Sequence, residues 1–249
     1  MEHEFSRTEL LVGTDGLEKL RRSTVIIFGI GGVGSYTVEA LARAAIGHLI
    51  LVDFDEVSIS NLNRQIHALH SSIGEAKVEV MKQRITEINP KAQVETLREF
   101  LSAENVNQFL DRELDYVVDA IDTVSSKVIL AKECLARKIP LISSMGAGNR
   151  LTAEGFRVSD ISKTSGDPLA KTMRKLLRQE GITNGVKVVS SPESPLTPLS
   201  SLAQPIQSSD ELTTKRQTPG SISFVPSVVG LLIAGEVVRD LLKRSATES

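Results

Sequence analysis

Cysteine is almost missing from this sequence, since Cys134 is the only one in 249 residues. A single cysteine excludes an internal disulfide framework and a zinc site built from several cysteines. It favours a reducing compartment, so we predict a cytoplasmic protein. Cys134 lies in a predicted helix among apolar residues, where a small buried side chain is a better interpretation than a nucleophile.

The chain also lacks an excess of charge of one sign. Its 29 basic and 31 acidic residues give a formal net charge of −2. No global positive field is therefore available for nucleic acid, and any such contact must use a local patch. Only two of the histidines, His67 and His70, are closely spaced, and without further ligands that pair indicates packing or surface rather than a metal site.

Long hydrophobic runs are missing as well. The longest run near the end covers residues 228–234 and is followed by Glu236, whereas a membrane span needs about 20 apolar residues. The acidic start, with no long apolar run, does not resemble a secretory signal. The sequence predicts no transmembrane span, and weak membrane association through the last helix stays an open alternative.

What is present in the first 150 residues is a regular alternation of β-branched runs and amphipathic segments. This pattern is typical of parallel βαβ units. Strands are predicted at residues 24–28, 48–53, 94–98, 116–120 and 139–143, and helices at residues 33–45, 75–88, 103–110 and 125–138. The fold class is therefore α/β, a doubly wound, mostly parallel Rossmann-like sheet.

The second half, residues 151–249, is predicted to elaborate the same single domain on the substrate and dimer side. The expected elements are a strand at 155–158, a basic helix at 168–180, a strand at 186–189 and an apolar helix at 227–242. Residues 190–220 are rich in Ser, Pro, Thr and Gln, which favours a long mobile loop whose function the sequence leaves open.

A glycine-rich turn joins the first predicted strand to the first predicted helix. Glycines at such a turn let backbone N–H groups and the helix N-terminus approach a phosphate. Asp53 lies about 20 residues further on and is expected to hold ribose hydroxyls. The turn is formed by Gly29, Gly31, Gly32 and Gly34. A nucleotide site is the prediction, although a dehydrogenase would fit this much equally well.

The polar segment that follows Asp53 favours a triphosphate over a dinucleotide. Arg64 can clamp phosphate oxygens with two donors, Asn61 and Gln65 can donate amide hydrogens, and Asp55 can help hold Mg²⁺. Lys77 opens the next helix, where the macrodipole does not stabilise a cation, which suggests a phosphate there. Asp122, after the fourth strand, is available either for a metal or for the N-cap of the next helix.

Taken in order, these motifs resemble the ubiquitin-activating-enzyme-like superfamily that includes ThiF, MoeB and HesA. The resemblance covers about residues 5–150. It implies that Asp53 binds ribose, Asn61 and Arg64 bind the β and γ phosphates, Lys77 binds the α-phosphate and Asp122 binds Mg²⁺. It also implies that Arg7 reaches into the site of a partner subunit, and hence a homodimer.

Four further motifs resemble one branch of that superfamily, the tRNA threonylcarbamoyladenosine dehydratases; they begin at Ser143, Asp160, Asp167 and Gly220. The resemblance implies that ATP activates the carboxylate of threonylcarbamoyladenosine beside the anticodon, and that an internal nitrogen or oxygen then closes a ring. ATP and Mg²⁺ are the implied cofactors. A monovalent cation near the dimer interface and a cysteine desulfurase or sulfur-acceptor partner are left open.

A tRNA substrate requires a local basic surface. The predicted helix at 168–180 carries four basic residues on one face, which makes it the candidate patch. These residues are Lys171, Arg174, Lys175 and Arg178. Lys163, Lys187, Lys215 and Arg216 could extend the patch. An ordinary solvated face explains the four residues nearly as well, since no aromatic side chains interleave for base stacking.

Two alternatives stay open from the residues alone. One is a MoeB- or ThiF-like adenylyltransferase that activates the C-terminus of a ubiquitin-like sulfur carrier, against which stands the lack of a cysteine in the second half. The other is a nucleotide-binding scaffold or an NAD(P) oxidoreductase, neither of which would exchange pyrophosphate into ATP.

Overall fold

The computed structural model describes residues 2–199 and 219–243. Its centre is a seven-stranded sheet in the order β3-β2-β1-β4-β5-β7-β6. The strands are β1 Thr24–Phe28, β2 His48–Val52, β3 Gln93–Leu97, β4 Tyr116–Asp119, β5 Leu141–Ser144, β6 Arg157–Asp160 and β7 Lys187–Ser190. Only β6 runs antiparallel to its neighbour, so the predicted fold class is confirmed.

Seven helices flank the sheet in the described residues. They are α1 Ser6–Arg22, α2 Gly34–Arg43, α3 Lys77–Ile88, α4 Val106–Leu110, α5 Val124–Arg137, α6 Pro168–Gln179 and α7 Phe224–Lys243. Short 3₁₀ turns cover Ile59–Asn61, His70–Ser72 and Ile161–Lys163. None of these helices is both long and apolar enough to cross a membrane.

Alternate residues of the central strands supply two separate cores. Val25 and Ile27 of β1 pack with α1, α2, α3 and α7 on one face, whereas Ile26 and Phe28 pack with α4 and α5 on the other. This period of two, with both faces apolar, is what a parallel sheet covered by helices requires. The carboxyl ends of β1, β2, β4 and β5 therefore meet at one edge, above both cores.

The structure corrects several sequence-based boundaries. Helix α4 begins at Val106 rather than 103, because the Asn105 side chain accepts a hydrogen bond from the Ser102 N–H at 2.8 Å and forms a turn there. Helix α1 was not predicted at all. It is kinked at Gly13, where φ is +74°, and its Leu10 and Leu11 are exposed, so not all of its apolar residues mark a buried face.

In the second half, β6, α6, β7 and α7 appear within three residues of the predicted spans. Most of the predicted mobile loop, residues 200–218 with Lys215 and Arg216, lies outside the described residues. Its two ends, up to residue 199 and from residue 219, are described. The predicted extension residue Lys187 is engaged elsewhere, since it pairs with Glu236 at 2.8 Å and with Asp240 of α7.

Candidate active site at the carboxyl edge of the sheet

The glycine turn between β1 and α2 is open on its upper side. A Cβ on Gly34 would lie 1.8 Å from the Gly29 carbonyl oxygen, so only glycine allows this approach of turn and helix. A Cβ on Gly31 would meet nothing closer than the Gln65 amide nitrogen at 3.9 Å. Space and backbone N–H groups are thus available at the N-terminus of α2, where the helix dipole favours an anion.

Asp53, directly after β2, faces this turn. Its carboxylate accepts hydrogen bonds from the Ile30 N–H at 2.6 Å and the Asp55 N–H at 2.9 Å. Burial raises the pKa of Asp53, while Lys77 and the two N–H groups oppose that rise. One lone pair on each oxygen stays available, which fits the predicted contact with ribose hydroxyls.

Lys77 and Asp55 form an ion pair beside Asp53. The Lys77 ammonium lies 2.6 Å from the Asp55 carboxylate, with the lysine 6% and the aspartate 48% exposed. Lys77 is the first residue of α3, as predicted. A buried ammonium at a helix N-terminus needs an anion nearby, and Asp55 supplies it here.

The turn at Ile59–Asn61 positions Arg64 and Gln65 against the glycines. The Asn61 carbonyl accepts hydrogen bonds from both of their backbone N–H groups at 3.0 Å. The Arg64 side chain would contact a Cβ on Gly32 at 3.4 Å. It donates to the Ser60 carbonyl and the Asn63 side chain, and burial lowers the pKa of its guanidinium.

Among the described residues, one buried polar atom in this segment is unsatisfied, and one cation there lacks a carboxylate partner. Within the described chain, Arg64 has no carboxylate partner, and the buried Gln65 side-chain oxygen has no hydrogen-bond partner. Buried polar groups are nearly always paired. A partly buried arginine beside an open glycine turn and a helix N-terminus is suited to phosphate oxygens.

Asp122 lies at the same edge, after β4. It is exposed, and its carboxylate accepts a long hydrogen bond from the Thr123 hydroxyl at 3.5 Å. The N-cap alternative is wrong, because α5 begins at Val124 with Thr123 at the N-cap and no side-chain cap. An exposed carboxylate next to the predicted phosphate site fits Mg²⁺, which binds through one or two carboxylates plus phosphate oxygens.

Asn149 connects the second half of the chain to this edge. It has a φ of +57°, and it bonds to Gly220 through both its side-chain oxygen at 2.6 Å and its N–H at 2.7 Å. Its carbonyl accepts from the Leu196 N–H at 2.7 Å. Asn63 donates to the Ser221 carbonyl at 3.0 Å, so the chain that enters α7 borders the segment that is predicted to bind phosphate.

Other predicted residues lie apart from this cluster. Arg7 is exposed near the start of α1, two residues after Phe5, which packs on Ala45 beyond the far end of α2. That end is about 15 Å of helix away from the glycine turn. Cys134 is buried, and burial raises the pKa of its thiol to about 12, so it is not a nucleophile in this fold.

The basic face of α6 is exposed to solvent at Lys171, Lys175 and Arg178, while Arg174 is half-buried and bonds to the Thr164 hydroxyl. None of the four pairs with a carboxylate in the part of the chain that the structure describes. The helix starts at the candidate site's side, because its N-cap Asp167 also accepts from the Gly146 N–H at 3.0 Å, just after β5.

Sequence reasoning missed Lys127, which is completely buried under the site and pairs with Asp119. The signal that could have found it is a lysine early in an apolar helix that directly follows an aspartate-containing turn.

Two shallow clefts, of about 380 and 490 Å³, lie at the opposite edge of the sheet, near the starts of the strands. The candidate site is therefore located by its polar side chains and glycine turn, and not by the position of a cleft.

Comparison with known proteins agrees with this arrangement. The chain is 50% identical over 244 residues to the tRNA threonylcarbamoyladenosine dehydratase of Bacillus subtilis, which covers 98% of this chain and 96% of the relative.

Two solved structures are also similar along almost the whole chain. The crystal structure of E. coli tRNA N6-threonylcarbamoyladenosine dehydratase, TcdA, in complex with ATP has a TM-score of 0.88 at 33% identity and covers 99% of this chain and 96% of that one. The complex of the same protein with AMP has a TM-score of 0.87 at 34% identity, with coverages of 98% and 96%. A family model described as the ThiF family matches residues 5–249, and the chain therefore belongs to the ThiF family.

Proposed function

We propose that this chain is an ATP-dependent dehydratase that cyclises threonylcarbamoyladenosine in tRNA. The observation that carries the proposal is the 50% identity over 98% of the chain to a Bacillus subtilis enzyme of that name. One sheet edge carries an open glycine turn, a buried lysine and an arginine that has no carboxylate partner among the described residues, and these supply the triphosphate chemistry that such an enzyme needs.

ATP cleavage drives the removal of water in two steps. The substrate carboxylate attacks the α-phosphorus, pyrophosphate leaves, and a mixed anhydride with AMP forms. An internal nitrogen or oxygen of the same nucleoside then attacks the carbonyl carbon, loses a proton and expels AMP. The nucleoside has lost one water in total, and the tethered attacker gains the high effective concentration of an intramolecular reaction.

Each polar group at the edge has a role in this scheme. The glycine turn and the N-terminus of α2 bind phosphate, Asp53 accepts ribose hydroxyls, and Arg64 with Asn61 and Gln65 holds the outgoing pyrophosphate. Lys77 turns from Asp55 toward the α-phosphate and stabilises the charge that develops there. Mg²⁺, held by Asp122 with help from Asp55, would neutralise phosphate charge. The carboxylates of Asp55 and Asp122 suit Mg²⁺, and the cations of Arg64 and Lys77 suit the phosphates of ATP.

The direct test is to incubate the protein with ATP, Mg²⁺ and tRNA that carries threonylcarbamoyladenosine, and to weigh the nucleoside after digestion. We expect an ATP-dependent loss of about 18 Da, which is the mass of one water. Arg64→Ala and Lys77→Ala should abolish it, whereas Lys82→Ala, an exposed lysine further along α3, should keep wild-type activity. No mass change, together with pyrophosphate exchange that requires a ubiquitin-like protein, would move the assignment to the adenylyltransferase alternative.

We further propose a homodimer in which Arg7 acts on the partner's nucleotide. One support is that α1 begins beside the C-terminal end of α2, whereas this chain's own glycine turn lies at the N-terminal end of that helix. The other is that Leu10 and Leu11 of α1 are 86% and 88% exposed. Arg7→Ala and Asp122→Ala proteins should each be inactive alone. A mixture that has exchanged subunits should regain up to about half of the activity per mixed dimer, because one site is then complete. A monomer by sedimentation, or no recovery, would contradict the proposal.

A further inference from the structure

A fully buried ion pair lies directly beneath the candidate site and has no role in the chemistry described so far. Lys127 of α5 and Asp119 of β4 are 0% and 1% exposed at their side chains. The Lys127 ammonium donates to both Asp119 oxygens, at 3.0 and 2.9 Å, and to the Ser143 hydroxyl at 3.2 Å. All three of its donors are therefore used inside the protein.

Asp119 is equally saturated. Besides the two bonds from Lys127, it accepts from the Ser143 hydroxyl at 2.5 Å and from the Ile121 N–H at 3.1 Å. A carboxylate has about four acceptor positions, and all are occupied. Asp119 therefore cannot bind a metal as the structure stands, while Asp122, three residues later, is exposed and able to.

Such a pair needs a reason to exist, because burying two charges costs about as much as their attraction returns. An ammonium in the first turns of a helix is disfavoured by the macrodipole as well. Apolar side chains of similar volume would stabilise the fold at least as well. The pair is therefore better explained by what it holds in place than by stability.

What the pair holds is the turn between β4 and α5. The Ile121 N–H bonds to Asp119, and the Ala120 N–H bonds to the Phe28 carbonyl at 2.8 Å. A Cβ on Gly29 would lie 2.6 Å from the Ala120 carbonyl oxygen. The residues leading to Asp122 are thus clamped between the buried ion pair on one side and the start of the glycine turn on the other.

We propose that Lys127, through Asp119 and Ser143, is a positioning residue that holds Asp122 where it can meet the divalent cation of the bound nucleotide. The inference rests on the proposed function in one respect, the assignment of Asp122 to that cation. Lys127 touches neither nucleotide nor substrate. It acts through the backbone of residues 119–122, as hydrogen-bond partners behind a metal ligand commonly do.

The test measures how much a divalent cation improves nucleotide binding, without any turnover. Calorimetry gives the Kd of α,β-methylene-ATP in EDTA and in excess Mn²⁺, and the ratio of the two Kd values is the metal-dependent gain. Lys127→Met leaves Asp119 buried without its partner and risks unfolding. The main variant is therefore Asp119→Ala/Lys127→Met, which removes both charges together.

For this double variant we expect the metal-dependent gain to fall about tenfold, the size typical of losing a partner behind a metal ligand. Asp122→Asn should show a similar fall, and the Kd in EDTA should change less than threefold in both. Lys132→Met, which removes an exposed lysine of α5 that pairs with Glu180, is the matched control and should keep the wild-type gain.

The outcomes separate three cases. A folded double variant with the wild-type gain overturns the proposal and leaves Lys127 a purely structural residue. A wild-type gain in Asp122→Asn overturns the cation assignment itself, which the mass measurement of dehydration does not depend on. If the double variant does not fold, Ser143→Ala decides: it keeps the ion pair but loosens Asp119, so a two- to fivefold fall supports the proposal and an unchanged gain overturns it.

Discussion

At the scale of single residues, His67 links folding to pH. It is 2% exposed, and neither ring nitrogen has a hydrogen-bond partner in the described residues. Burial, followed by the charges of Lys77 and Arg84, lowers its pKa to about 4. The unfolded chain takes up a proton near pH 6.5, whereas folded His67 stays neutral. The free energy of unfolding should therefore fall as the pH drops from about 6.5 to 4.

The expected loss from this one group between pH 7 and 4.5 is about 2 kcal/mol. His67→Leu removes the titration, so its stability should fall less over the same interval. His70→Gln, which changes an exposed histidine three residues away, should follow the wild type. Urea unfolding at both pH values measures the difference. Equal losses in wild type and His67→Leu would exclude His67 as the cause.

The order of residue types along the sequence predicted the polar residues at the edge of the sheet, but not the buried ion pair beneath them. Asp53, Asp55, Arg64 and Lys77 were predicted because glycines, carboxylates and cations beyond strand ends are typical of phosphate sites. Lys127 escaped because a lysine in a helix usually faces water. Only the three-dimensional contact with Asp119 and Ser143 distinguishes it from one that does.

At the scale of secondary-structure elements, the packing of α7 on α2 fixes the helix that carries the glycine turn. A Cβ on Gly230 of α7 would lie 2.4 Å from the Val33 carbonyl oxygen, and the Thr37 hydroxyl donates to the Gly230 carbonyl at 3.1 Å. We expect Gly230→Ala to push the helices apart, lower stability by about 1–3 kcal/mol and weaken ATP binding, since Val33 ends the turn.

Gly235, on the same helix, is the matched control. A Cβ there would meet only the end of the flexible Arg239 side chain at 3.3 Å. Gly235→Ala should be neutral or stabilise the fold by up to about 1 kcal/mol, because alanine is the better helix former. Chemical denaturation and calorimetric ATP binding provide the two readings. Equal effects of the two substitutions would mean that the α2–α7 approach does not limit the fold.

The same scale shows which elements can be predicted from sequence. The buried strands and amphipathic helices of the first half were predicted because their periodicity is strong. Helix α1 was not, since it buries little beyond Leu17 and Leu20 and is interrupted by Gly13. The antiparallel direction of β6 depends on its pairing with β7, which no local pattern encodes.

At the scale of the whole molecule, charge is distributed unevenly although the net charge is only −2. The exposed basic face of α6 starts at the site's edge of the sheet, where Asp167 caps the helix next to the loop that follows β5. A negatively charged substrate that projects one nucleoside into the site would lie across this face. Phosphate contacts of this kind add affinity that falls steeply with salt.

Reversing charge on this face tests whether it binds tRNA. We expect Lys171→Glu/Lys175→Glu to weaken tRNA binding at least tenfold in about 0.1 M salt and to reduce the slope of log Kd against log salt by about two. Calorimetric ATP binding should not change, because neither residue belongs to the proposed nucleotide site at the carboxyl edge of the sheet. Lys82→Glu/Lys91→Glu alters the net charge equally on exposed residues elsewhere and should bind tRNA almost as the wild type does. If both double variants weaken binding alike, overall charge rather than the face of α6 governs tRNA binding, and the proposed patch is wrong.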